Sequence, residues 1–185
     1  MDRALDRAID VFRARGYHAT SIGDLRKALD LTAGSIYKAF QSKRAVFLAA
    51  LERYSALRDA EVARVVATCR TGRERLRAMV LCYAGRSAGR DGRLGCLVVG
   101  TAVEVAALDA EIAGKVRGRL KRLEAAICEL IAQGKADGSL RTTVDSAAAA
   151  RAILCALQGM RVVGKLDPDP DRMQATAELV LRLVE

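Results

Sequence analysis

Residues 16–47 read GYHATSIGDLRKALDLTAGSIYKAFQSKRAVF, and this stretch constrains the fold more than any other. It holds two helix-start signals eleven residues apart. Ser21 is an N-cap with Asp24 three residues on, the pattern of a capping box. Behind it Ile22, Leu25, Ala28 and Leu29 recur at helical spacing and share one face. Thr32 is the second N-cap. The segment after it places Ile36 and Phe40 inward, with Ala39 beside them, and leaves Ser35, Tyr37 and Lys38 outward. Two short capped helices joined by a tight turn form a helix-turn-helix. An apolar back with small, hydroxyl and basic groups in front suits a helix entering a major groove.

The order of residues within this stretch resembles the DNA-binding head of the TetR family of transcriptional regulators. The family pattern Thr-x-Gly-x-Ile-Tyr-x-x-Phe-x-Ser-Lys is met by Thr32, Gly34, Ile36, Tyr37, Phe40, Ser42 and Lys43, and Phe12, Gly16, Tyr17, Thr20 and Ser21 fit upstream. The resemblance implies a DNA-contacting set of Thr32, Ala33, Gly34, Ser35, Tyr37, Lys38 and Lys43, with Lys43 on a phosphate. Tyr37 has a second reading as a core residue, although Ile36 and Phe40 already supply an inward face. His18 reads as a turn residue or a phosphate contact. One departure is Ala39, where the family usually has His or Tyr. A second is the absence of a basic arm before the first helix, of the kind that enters a minor groove.

The rest of the chain is expected to be helical. Half of its residues are hydrophobic, aromatics are few, Trp is absent, and there are two prolines in 185 residues. Apolar spacing predicts helices over about 3–14, 43–69, 73–87, 96–107, 109–135, 145–164 and 170–184. With the two short ones this makes about nine helices in an all-α fold. A three-helix head over 1–44 precedes a larger effector-binding and dimerisation body over 45–185. Gly85, Gly89, Gly92 and Gly95 predict a loop. The nearly unbroken apolar run 96–107 predicts a helix buried on most sides. The alanine-rich and strongly apolar last two helices predict a homodimer interface.

The net charge of +9 points to a polyanionic partner. Residues 1–44 hold nine Lys/Arg against five Asp/Glu, which fits DNA binding by the head. A second block over 69–95 holds seven Arg against two acids. It reads as a solvated face or as added pull on DNA or an acidic effector. The five cysteines lie far apart and the single histidine is His18, so no metal site and no cofactor are expected. No signal peptide and no uninterrupted apolar run of membrane length are seen, which predicts a cytoplasmic protein with free thiols.

Outside the head, an effector pocket is expected from Met79, Tyr83, Cys96, Thr101, Val105, Val116, Gln158 and Met160, with Glu104 as a further polar residue in an apolar helix. The word GRLGCLVVGTAVE resembles a TetR subgroup with Gly-Cys-Leu at the sixth helix, where in some relatives the cysteine answers electrophiles or oxidants. Cys96 is therefore either a thiol poised at a helix start or a small buried hydrophobe. No catalytic constellation is present, so no enzyme is expected. The resulting expectation is a one-component regulator, most simply a repressor. It would bind a near-palindromic double-stranded operator as a dimer and be released by an unidentified small molecule or thiol-reactive signal. A helical adaptor of the same fold, acting through protein–protein contacts, is the alternative.

Overall fold

The computed structural model describes residues 2–140 and 143–185. Among them the chain is all-α. The order is α1 (Asp2–Arg15), α2 (Ile22–Leu29), α3 (Ala33–Phe40), α4 (Lys43–Ala67), α5 (Gly72–Arg86), α6 (Gly89–Leu94), α7 (Leu97–Glu104), α8 (Ala110–Ala136), α9 (Ser146–Leu166) and α10 (Pro170–Leu181). A 3-10 turn, Arg182–Val184, follows. Side-chain caps start α2, α3, α5, α9 and α10, and Pro170 stands in the first turn of α10, where its missing N–H is harmless.

The chain forms two compact units. The first comprises residues up to Arg58 together with Cys96–Val116, so α7 belongs with the helix-turn-helix although some 60 residues of chain separate them. Its aromatic centre is Phe12, Tyr17 and Phe47. The Phe12 and Phe47 rings meet edge-on at 4.9 Å and those of Tyr17 and Phe47 at 4.8 Å. Such contacts add to the area they bury. Leu25, Leu29 and Ile36 are buried. An eight-residue helix such as α3 is marginal by itself, so the buried Ile36 and the Thr32 cap are what hold it.

The second unit holds Asp59–Gly95 and Arg117–Glu185. Its core joins Leu76 and Val80 of α5, Ile127 and Ile131 of α8, Ile153 and Leu157 of α9, and Met173 and Ala177 of α10. Among the described residues α9 has the length and apolarity of a membrane span. Yet Ile153, Leu154, Leu157 and Met160 face this core, the expected behaviour of a central helix.

The glycine-rich stretch expected to be a loop contains α6. Gly89, its first residue, and Gly95, its C-cap, stand at φ +55° and +78°, so the turns are there, but the six residues Gly89–Leu94 close a helix. It fits because glycines permit very close packing. A Cβ on Gly164 of α9 would stand 1.9 Å from the carbonyl oxygen of Ser87, and one on Gly92 would stand 2.3 Å from the same oxygen. No flexible side chain is available to yield there. Gly164→Ala should therefore cost about 1–3 kcal/mol through overpacking. Thermal unfolding followed by circular dichroism checks this, and an unchanged midpoint would contradict the packing described.

The apolar run 96–107 also departs from expectation. Its helix ends at Glu104, and Val103 and Leu108 are 81% and 75% exposed. This short helix buries only the stripe of Leu97, Val98 and Thr101, and Val103 lies off that stripe.

Candidate nucleic-acid interface and effector cavity

The helix-turn-helix is built from its caps. The Ser21 hydroxyl accepts the Asp24 amide at 3.1 Å, and Asp24 returns a bond by accepting the Ser21 amide at 2.9 Å. The bonds from the Ser21 hydroxyl and amide, with Arg15 nearby, hold the Asp24 carboxyl down to about 2. The turn closes with Asp30 left-handed at φ +57°, a conformation that Asp tolerates better than most residues. Thr32 then accepts the Ser35 amide at 3.1 Å and starts α3.

The face of α3 is sorted as its spacing requires. Ile36 is fully buried, Phe40 is half-buried, and Thr32, Gly34, Ser35 and Lys38 are exposed. Tyr37 is 50% exposed, which removes its reading as a core residue. Ala39 is exposed, against expectation. At 100° per residue it lies about 80° from the mid-line between Ile36 and Phe40, at the edge of the buried stripe. The side chain of Ala33 lies outside the described residues.

Lys43 is not directed with this set. Its ammonium donates to the carbonyl oxygens of Tyr17 and Thr20, each at 3.0 Å, and lies 4.4 Å from the centre of the Tyr17 ring. Two carbonyls and a π face hold this cation on the α1–α2 turn, so in this structure Lys43 supports the turn from below.

The same turn is gripped by Glu104, which the sequence had suggested for the effector pocket. The Glu104 carboxylate accepts the Tyr17 amide at 2.9 Å and the His18 amide at 2.6 Å. Gly16, at φ +80°, makes room: a Cβ there would meet Glu104 Oε2 at 2.5 Å. His18 is thus a turn residue whose backbone matters, with its ring edge-on to Tyr17 at 5.3 Å. A second tie joins Arg44 at the start of α4 to Asp109 (2.6 and 3.1 Å) and Glu111 (2.6 Å). Chiefly through the Arg44 bond, then the Ile112 amide, the Asp109 carboxyl is held to about 2. Replacing Glu104 with alanine should speed hydrogen exchange at the Tyr17 and His18 amides by about tenfold or more, since charge-assisted bonds are worth about 1.5–3 kcal/mol. Unchanged exchange at both would show that the carboxylate does not hold the turn.

The expected effector residues are divided between the two units, Cys96, Thr101, Val105 and Val116 in the first and Met79, Tyr83, Gln158 and Met160 in the second. Met79 and Tyr83 line a cavity of about 400 Å³ in the second unit. Its walls are Val62, Ala63 and Val66 of α4, those two of α5, and Leu123, Ala126 and Leu130 of α8, with Asp59, Arg119, Arg122 and Glu129 as its charged groups. Cys96, Thr101, Val105, Val116, Gln158 and Met160 are not among its lining. Thr101 is buried, but its hydroxyl donates to the Leu97 carbonyl one turn back at 2.6 Å, so the helix itself satisfies it. Val105, Val116 and Met160 are buried packing residues, and Gln158 is half-buried on α9. Cys96 is half-buried at the N-cap of α7 with no cap bond from its sulfur, whereas Cys155 on α9 is the exposed thiol. Sequence reasoning missed Arg119, whose signal would have been a cation on the apolar-spaced side of α8.

The arginine block is largely engaged within the second unit. Arg73 pairs with Glu185, Arg77 with Glu178, and Arg86 with Glu61 and Asp91. These pairs favour the reading as a solvated, ion-paired surface.

A family model described as bacterial regulatory proteins, tetR family, matches residues 4–50, and a second, described as a Tetracyclin repressor-like C-terminal domain, matches residues 72–180. The chain belongs to the TetR family. It is thus a DNA-binding transcriptional regulator of the helix-turn-helix type. It is 25% identical to the HTH-type transcriptional repressor ComR of Escherichia coli K12 over 98% of this chain and 87% of that protein. It is 28% identical to the uncharacterized HTH-type transcriptional regulator YezE of Bacillus subtilis 168, over 98% and 94%. Among solved structures it is similar to a cysteine-substituted variant of the TetR family regulator CifR complexed with 26 bp double-strand operator DNA. There the TM-score is 0.88 and the identity 27%, with 100% of this chain and 96% of that one covered.

Proposed function

We propose that this TetR-family protein is a homodimeric repressor that reads a near-palindromic operator through α3 and is released by a small molecule held in the second unit. The observation that carries the reading is the sorted face of α3. Thr32, Gly34, Ser35, Tyr37 and Lys38 stand outward on a helix whose other side is buried. Thr32, Ala33, Gly34 and Ser35 bring the start of that helix to the groove, Tyr37 and Lys38 reach bases or phosphate, and Lys43 acts mainly by holding the α1–α2 turn, reaching phosphate only if it releases its carbonyls.

Dimerisation is supported by α9 and α10. Ala148, Ala152, Cys155, Gly159, Val162, Val163 and Leu166 follow one another along the exposed side of α9, and Leu179 and Leu183 are exposed on the last turns of the chain. A monomer rarely leaves so continuous an apolar stripe in water. The effector reading is supported by the 400 Å³ cavity. Helices α4 and α8 both form its wall and both continue into the unit that carries α1–α3. A ligand releases DNA only if it binds the non-operator state better. Repression is supported by the similarity to ComR, a repressor by name.

The test is a reporter gene behind a promoter that overlaps the bound site. Expression of the chain should lower transcription, and alanine at Tyr37 should restore it. Raised transcription would make the protein an activator. Lowered transcription that survives the Tyr37 change would remove α3 from the reading.

A further inference from the structure

The effector cavity separates its charges. Arg119 is buried at 8% exposure, yet its Nη1 donates to both oxygens of Asp59, at 2.6 and 2.7 Å, and the Asp59 side chain is 60% exposed. The cation of this pair is almost wholly buried in the cavity wall, and its anion is largely exposed to water. Arg122, three residues on, is an exposed cation near the same end. Glu129 lies ten residues along α8, about 15 Å at 1.5 Å per residue, where it accepts Gln133 Nε2 at 3.0 Å. Between these ends the wall is apolar, with Met79, Tyr83, Leu123 and Leu130.

Resting on the effector reading above, we propose that the cavity takes an amphipathic carboxylic acid. Its single carboxylate would lie on Arg119 and its unbranched or flat apolar body of about 10–15 Å would run along α8 toward Glu129. The incoming carboxylate exchanges with that of Asp59. Asp59 is already largely hydrated, so its release into water costs little. The ligand's carboxylate meets the guanidinium from the dry side, where a charge-assisted bond is stronger. A ligand cation would meet Arg119 as a like charge at this end, and a neutral alcohol would leave the Asp59 pair in place with no exchange.

Decanoate, 1-decanol and decyltrimethylammonium, each below its micelle concentration, test the class by calorimetric titration into the full-length protein. Decanoate should bind at least about tenfold more tightly than the other two. Asp59→Asn removes the competing carboxylate at an exposed position and should tighten decanoate binding several-fold. Arg119→Gln should bring decanoate and 1-decanol to within about threefold of each other. If Arg119→Gln fails to fold, the Asp59→Asn result decides. No binding of decanoate, equal binding of the alcohol or the cation, or an unchanged affinity in Asp59→Asn overturns the proposal. The effector reading is scored apart from this, by operator affinity. Decanoate that binds as described while leaving operator affinity unchanged upholds the ligand class and refutes the cavity as the inducer site.

Discussion

Replacing Val163 and Leu179 together by aspartate is expected to leave a folded monomer in place of the proposed dimer and to lower operator affinity by roughly 10²–10⁴-fold. Both side chains are more than half exposed in the single chain, so the changes leave its core intact. That distinguishes them from deleting α10, which would also remove the buried Met173, Ala177 and Leu181. Across a two-fold axis each charge appears twice, facing apolar surface and its own copy, and burying it there is costly. Interfaces of obligate dimers often bury on the order of 2,000 Å² or more in total, with apolar contacts at their centre. The loss on DNA follows from linkage. Once one head is seated, the other binds at high effective concentration, worth roughly 10²–10⁴ in affinity. Light scattering reads the assembly and a gel-shift titration reads the affinity. A dimer that survives both aspartates would place the interface elsewhere.

Replacing Tyr37 by alanine should lower operator affinity by roughly 10–100-fold while changing binding to unrelated DNA by less than about threefold. The ring is half exposed on the outward face of α3 and is not one of the buried core residues. A side chain that reads a base edge contributes about 1–3 kcal/mol of discrimination. Lys38→Ala provides the contrast. If its ammonium neutralises a phosphate, the loss should be similar on all sequences and the salt slope should flatten by about one. Equal losses on operator and unrelated DNA in the Tyr37 variant would make the ring a backbone contact.

Local chemistry was legible in the sequence. The Ser21–Asp24 capping box and the Thr32 cap were readable because each involves residues three apart, and helix periodicity then sorted Ile36 from Tyr37. Apolar spacing placed α4, α5, α8, α9 and α10 to within a few residues. What escaped was set by contacts distant in sequence. Glu104 read as a pocket residue because it is a polar residue in an apolar run, and nothing local shows that its carboxylate caps amides 86 and 87 residues away. Lys43 matched a phosphate-contacting position in a motif, but its distance from the carbonyls of Tyr17 and Thr20 is a tertiary fact. Thr101 looked like a polar anchor, yet its hydroxyl is satisfied by its own helix. The α6 helix was hidden by glycines, which signal turns and close packing alike.

Two copies of α3 that enter successive major grooves of one operator leave a characteristic pattern of protection. Hydroxyl-radical footprinting of the purified protein on genomic fragments selected for binding tests it most directly. Protection is expected on one face of the duplex, in two symmetry-related half-sites with centres about 34–36 Å apart or a multiple of that. At a protein concentration that just saturates the unaltered complex, Tyr37→Ala should erase the protection at both. Protection of a single half-site, or a footprint that persists without the Tyr37 ring and the exposed face of α3, would contradict it.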